Sequence, residues 1–92
     1  DLSSAEAAAT TILAALKSGD KETFRKCLST KLQEKAKACE GKEDEQCKKR
    51  YSLDAMFNTW KNGVEKQKLT PKTFNQFQSL KNFDGKWRLK DV

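Results

Sequence analysis

The segment KNFDGKWRLKDV restricts the fold of this chain more than any other part of the sequence. Asp84 and Gly85 suit a two-residue hairpin loop, because both residue types adopt positive φ angles readily. Beyond the loop, Trp87 and Leu89 alternate with polar residues and would share one face of a strand, and the loop length sets Leu80 opposite Leu89. The other face of that strand would carry Lys86, Arg88 and Lys90. The sequence therefore predicts an antiparallel hairpin with one apolar and one basic face.

Residues 2–20 carry the signals of a helix at both ends. Ser3 can cap its start, with Glu6 completing a capping box, and Gly19 suits its end. Alanine, isoleucine and leucine recur at helical spacing between these residues, and the alanines imply that another element crosses close to the first half.

Asp20 is a candidate cap for a second helical region. A break at Ser29 and Thr30 is possible, because Thr30 and Gln33 could form a new capping box. One bent helix and two short helices fit this pattern equally well. Gly41 ends the region, and the polar residues after it are expected to form a solvated loop.

The strongest amphipathic pattern follows Ser52, which suits a helix cap, and Asn62 and Gly63 suit the end of the helix. Its apolar residues are spaced by three, four and seven positions. They are Leu53, Met56, Phe57, Trp60 and Val64. We interpret this stripe as core, with a groove for a partner as the alternative.

Residues 70–80 carry conflicting signals. Thr70 and Pro71 resemble the cap and first turn of a helix. The aromatic content and the nearby Asp84-Gly85 turn suit the first arm of a hairpin instead, and we favour a strand from about Thr73 onward.

These elements predict a single α+β domain covering residues 1–92, in which three to four helices pack on a small C-terminal antiparallel sheet or hairpin. A chain of 92 residues supports only a small core. It lacks an apolar run of about 18 residues, so no segment is expected to span a membrane.

The number and spacing of the three cysteines bear on whether the protein works in an oxidising or a reducing compartment. Cys39 and Cys47 flank a short polar loop and Cys27 stands apart, so a Cys39–Cys47 disulfide with one free thiol is the simplest pairing. The alternative is that all three are reduced, with Cys27 and Cys39 serving as small buried apolar residues. The disulfide would favour an oxidising compartment, and a chain that begins with Asp1 fits either a processed mature chain, from which an export signal could have been removed, or an excised fragment. We therefore expect an exported protein, in a periplasm, cell envelope or extracellular space.

Two segments, ILAALKSGDKETFRKCLS and FDGKWRLKDV, resemble the nuclear transport factor 2 superfamily with its cystatin-like cone fold, and especially its short secreted or lipid-anchored bacterial members of unassigned function. That family has a first helix that ends in a Gly-Asp step, a second helix with a Leu-Ser break, and a Gly-Lys-Trp turn in the closing strands. The chain departs from the family in the middle, where residues 51–64 have a helical pattern in place of long strands. The matching positions are Leu16, Gly19, Asp20, Phe24, Leu28, Ser29, Gly85, Lys86, Trp87 and Leu89.

The sequence predicts no enzyme, no cofactor and no metal site. Enzymes with the cone fold use a pocket Asp, His or Tyr for proton transfer, but this chain has no histidine, and Asp54 and Asp84 suit a helix start and a turn. The four glycines are isolated, so no phosphate-binding glycine loop is present. Three cysteines without histidine do not suit structural zinc. Cys27 could be reactive beside Arg25 or Lys26, although a buried structural role is the simpler interpretation.

The basic cluster Lys48, Lys49 and Arg50, followed by Tyr51, is the best candidate for binding. Bases beside an aromatic ring can hold phosphate or sulfate oxygens, and Lys86 and Arg88 would extend the cluster if the hairpin lies nearby. The net charge of +6 favours anionic partners without selecting among them. A solvated face is the simpler alternative.

Three functions follow from these observations. The first is a small exported non-enzymatic binding or accessory domain that acts through contacts with another protein. The second is an anion-binding module for nucleic acid, acidic glycan or membrane headgroups. The third is a pocket for a small apolar ligand, lined by Phe57, Trp60, Phe77 and Trp87.

Overall fold

The computed structural model describes residues 1–76 and 78–90 and confirms the α+β class. Within these residues, five α-helices and one π-helix precede a two-stranded antiparallel sheet. The elements, in chain order, are α1 (Ala5–Ser18), α2 (Lys21–Lys26), α3 (Thr30–Ala38), the π-helix (Cys47–Tyr51), α4 (Leu53–Gln67), α5 (Pro71–Asn75), β1 (Leu80–Phe83) and β2 (Lys86–Leu89).

Helix α1 begins one residue later than the sequence predicted. Ser4 is the cap, and its hydroxyl accepts a hydrogen bond from the Ala7 amide at 3.0 Å, so the expected Ser3 capping box was wrong. The predicted end is confirmed, because Gly19 adopts a left-handed conformation with φ of 76°. Its amide donates to the carbonyl of Ala15 and closes the last turn.

The second helical region consists of two short helices. Asp20 caps α2 as predicted, and its carboxylate accepts hydrogen bonds from the hydroxyl and the amide of Thr23, which lower the pKa of Asp20. Ser29, and not Thr30, caps α3 by accepting a bond from the Leu32 amide at 3.2 Å. Ser29 takes this role because its own amide donates to the carbonyl of Leu89, which holds it outside the helix.

Helix α4 supplies the core stripe that its sequence pattern predicted, with Met56 and Phe57 buried. The expected end at Asn62 and Gly63 was wrong, since the helix continues to Gln67. Val64, the residue after Gly63, packs against the core, and this contact helps to offset the cost of about 1 kcal/mol for a glycine inside a helix.

The preference for a strand from Thr73 onward was also wrong. Residues Pro71–Asn75 form helix α5, and Thr70 and Thr73 make a reciprocal capping box ahead of it. Phe74 is 1% exposed and lies against Trp60, with 5.3 Å between the ring centroids. Burial of this aromatic ring on α4 and the cap together favour the helical alternative, and the strand begins only at Leu80.

The predicted hairpin and its register are confirmed. Asp84 and Gly85 have φ of 53° and 87°, and Leu80 pairs with Leu89. Trp87 is half-buried and Leu89 is completely buried. The apolar face of β2 therefore packs on the helices, as its alternation indicated.

Hydrogen bonds attach the hairpin to the helical layer. The Leu89 amide donates to the carbonyl of Cys27, and the Leu89 carbonyl accepts from the amide of Ser29, both at 2.8 Å. The Trp87 amide donates to the carbonyl of Leu2, also at 2.8 Å. These bonds satisfy part of the outer edge of β2, so this edge is covered instead of open to another chain.

The core lies where the helices and β2 meet. Its largest completely enclosed side chains are Phe24, Phe74, Ile12, Leu16, Leu28, Met56, Leu89 and Cys27.

Candidate anion-binding pocket

A basic pocket of about 550 Å³ opens between α3 and the π-helix. Residues from α4 and from the end of the hairpin complete its lining. The lining residues are Lys31, Leu32, Lys35, Lys49, Arg50, Tyr51, Thr59 and Lys90. Five of these side chains are cationic and none is acidic.

Helix α3 forms the first wall. Lys31 and Lys35 are four positions apart, so they lie on the same side of this helix. Leu32 and Ala36, each next in sequence to one of these lysines, are buried and fix the orientation of the helix against the core. The amphipathic pattern of α3 therefore directs two ammonium groups to one surface.

The π-helix forms the second wall. Asp44 accepts the amide of Cys47 at 2.9 Å ahead of the helix, and the Ser52 amide donates to the Cys47 carbonyl at 2.9 Å, five residues back. This wide turn brings the consecutive residues Lys49, Arg50 and Tyr51 into one lining. Short π-helical turns are rare and are often found at functional sites.

The Cys39–Cys47 disulfide joins the two walls, which confirms the pairing predicted from the sequence. It links the end of α3 to the first residue of the π-helix, with 5.4 Å between the Cα atoms. Both cysteines are buried. The disulfide limits how far the two basic segments can separate, so the pocket is held together covalently in spite of the charge repulsion within it.

Tyr51 is half-buried, and Lys35 covers its ring with the ammonium nitrogen 4.4 Å from the ring centroid. This contact is a cation–π interaction, and it holds Lys35 at the surface of the pocket. A nucleic-acid base could stack on this ring face only by displacing Lys35. The geometry thus offers fixed cations to a ligand more readily than an open aromatic face.

The charge of the pocket is only weakly compensated. Lys49 contacts Glu45 at 3.1 Å, and both side chains are 76% exposed. Exposed ion pairs of this kind contribute about 1 kcal/mol or less, so the pair competes poorly with a multiply charged ligand. Like charges in a concave surface raise the local positive potential and attract anions.

The structure brings together half of the residues predicted for anion binding. Lys49, Arg50 and Tyr51 line the pocket, whereas Lys48 contacts Glu43 at 2.9 Å. Lys86 lines a separate cavity beside Cys27 and Leu2, and the guanidinium of Arg88 donates to the backbone carbonyl of Lys26. The basic face of the hairpin contributes Lys90 to the pocket in their place.

Lys31 and Lys35 were missed in the sequence. Their spacing of four residues was visible, but their proximity to residues 49–51 depends on the disulfide and on the path of the loop between them.

The aromatic residues predicted for an apolar pocket lie in different places. Phe57 is 3% exposed and packs edge-on against Phe24 in the core, with 5.4 Å between the ring centroids. Trp60 lies against Phe74 on α5, and Trp87 lines a cavity with Ala5 and Leu80. Phe77, the fourth predicted residue, falls outside the described residues.

A larger groove of about 690 Å³ runs between α3 and the start of α4. Side chains of both charges line it, with Arg25 and Lys37 cationic and Glu34, Glu40 and Asp54 anionic. Such mixed charge favours no particular ligand charge.

Cys27 is a free thiol and is 1% exposed. Burial raises the pKa of this thiol, which disfavours the reactive thiolate form. Cys27 therefore has the properties of a structural core residue.

Comparisons with protein-family models, with curated proteins and with solved structures found no match to this chain. The similarity to the nuclear transport factor 2 superfamily stays a prediction. Among residues 1–76 and 78–90, no three His, Cys, Asp or Glu side chains come together as a metal-binding group. Over the same residues, no helix is long and apolar enough to cross a membrane.

Proposed function

We propose that the protein is a non-enzymatic binding domain whose basic pocket takes the phosphate or sulfate groups of an anionic ligand. The observation that carries this proposal is the convergence of five cationic side chains, and no acidic one, on the lining of a single pocket. Phe57, Trp60 and Trp87, which the sequence assigned to a pocket for an apolar ligand, lie in different places, so anion binding has the stronger support of these two functions.

The chemistry required is recognition of charge and hydrogen-bond geometry. Arg50 can present two parallel N–H donors to a tetrahedral oxyanion, while Lys31 and Lys35 act as compact point charges. The exposed hydroxyl of Thr59 can donate a further hydrogen bond. No bond is made or broken in the ligand, so binding needs only the cations and the shape of the pocket.

Pyrophosphate should shift the backbone amide resonances of residues that line the pocket and few others. The shifts should disappear in about 1 M sodium chloride, where the Debye length is only about 3 Å. A triple variant with Lys31, Lys35 and Arg50 changed to glutamine should lose the shifts. Two-dimensional NMR titration measures each of these effects.

The matched control changes three exposed lysines away from the pocket lining, Lys42, Lys66 and Lys72, to glutamine. It removes the same total charge, so it should keep the pyrophosphate response. Equal loss in both variants, or shifts spread over all surface lysines, would show that only the net charge attracts the anion.

We also propose that the protein works in an oxidising compartment after export. The Cys39–Cys47 disulfide supports this proposal, because such bonds persist mainly outside the cytosol. Protein isolated from its natural source under acid quench and alkylated while unfolded should carry one adduct per chain, at Cys27. Mass spectrometry that finds three adducts would contradict the proposal.

A further inference from the structure

We infer that the ligand of the basic pocket is a compact molecule that carries several clustered phosphate or sulfate groups. The inference rests on the proposed function and concerns which anion the pocket takes. A volume of about 550 Å³ falls in the range of roughly 300–1,000 Å³ typical of small-molecule sites. Since a water molecule occupies only about 30 Å³, a single tetrahedral anion would leave most of this space filled with solvent.

The number of cations also favours more than one anionic group. Lys31 and Lys35 stand on α3, Lys49 and Arg50 on the π-helix, and Lys90 follows β2. The contact with Tyr51 brings Lys35 from α3 against the π-helix, and Lys49 also contacts Glu45. These five cations carry more charge than one phosphate group, which brings about −2, so a cluster of such groups can pair with more of them.

The surroundings of the pocket disfavour a long polyanion. Glu43 contacts Lys48 and Glu45 contacts Lys49 beside the π-helix, so carboxylates stand next to the basic lining. Arg88 and Lys86, which would continue a basic track along the hairpin, lie elsewhere. A polymer that extends beyond the pocket would therefore meet mixed charge and gain little from its length.

Isothermal titration calorimetry at constant ionic strength tests the inference with four probes. They are inorganic phosphate, myo-inositol hexakisphosphate, sucrose octasulfate and a long DNA duplex. At least one compact probe should bind with a Kd at least about 100-fold below that of inorganic phosphate, since each additional charge-assisted hydrogen bond contributes roughly tenfold or more. If one of the two compact probes binds more tightly, the difference shows whether the pocket prefers phosphate or sulfate groups.

The glutamine variant at Lys31, Lys35 and Arg50 should lose the tight binding, and the variant at Lys42, Lys66 and Lys72 should keep it. Tighter binding of DNA than of both compact probes would overturn the inference in favour of a polymer. Equal Kd values for inorganic phosphate and the compact probes would overturn it while leaving the proposed function standing. A wild-type protein that binds none of the probes, and gives no pocket shifts with pyrophosphate, would overturn the proposed function itself.

Discussion

Replacing Leu89 by alanine should lower the free energy of unfolding by about 2–5 kcal/mol, the range found for buried leucines. Leu89 is completely buried, and its backbone pairs with Cys27 and Ser29 at the junction of α2 and α3. Truncation of the side chain leaves a cavity where the hairpin meets the helices. Because small domains have a total stability of only about 5–15 kcal/mol, the loss should be a large share of the whole. Urea unfolding followed by circular dichroism measures it.

Lys81 provides the control, since it is exposed on the neighbouring strand. Its replacement by alanine should change the stability by no more than about 0.5 kcal/mol. A loss below about 1 kcal/mol for Leu89→Ala would mean that the hairpin adds little to the core, contrary to the burial of its apolar face.

Removal of the disulfide by changing Cys39 and Cys47 to alanine should cost about 2–3 kcal/mol, because the bond closes a short loop and restricts the unfolded chain. In a domain of this size the melting temperature should fall by about 10–20 °C. The π-helix should also lose its fixed position against α3, so binding of compact polyanions should weaken. Thermal unfolding and calorimetry measure the two effects separately.

A reducing agent gives the corresponding control without mutation. It should destabilise the wild-type protein by a similar amount and leave the double variant unchanged. If the wild-type protein keeps its melting temperature under reduction, the disulfide does not contribute as the loop-closure argument requires.

The hairpin was predictable because its determinants are local. Asp84-Gly85 specifies the turn, and the turn fixes the register for Leu80 and Leu89. The core stripe of α4 was predictable for a related reason, since its helical spacing does not depend on what it packs against.

Helix α5 was mispredicted because local preferences were balanced and a distant contact decided between them. Thr70 and Pro71 favoured a helix, the aromatic residues favoured a strand, and packing of Phe74 on Trp60 settled the outcome. Intrinsic secondary-structure propensity predicts poorly where the two alternatives bury different amounts of apolar side chain.

The pocket was predictable only in part. The run from Lys48 to Tyr51 indicated its second wall, but Lys48 contacts Glu43 and is not part of the lining. The first wall comes from a helix whose lysines look like an ordinary solvated face. Only the position of the disulfide, which sets α3 beside residues 47–51, makes Lys31 and Lys35 part of a site.

The pairing between Leu28 and Leu89 has a consequence for the kinetics of folding. These residues lie in a parallel bridge although most of the chain separates them. Closing so long a segment costs conformational entropy before any contact stabilises it, and such non-local contacts slow folding. We therefore expect the helices to pack together early and the C-terminal hairpin to dock on them in a late, rate-limiting step.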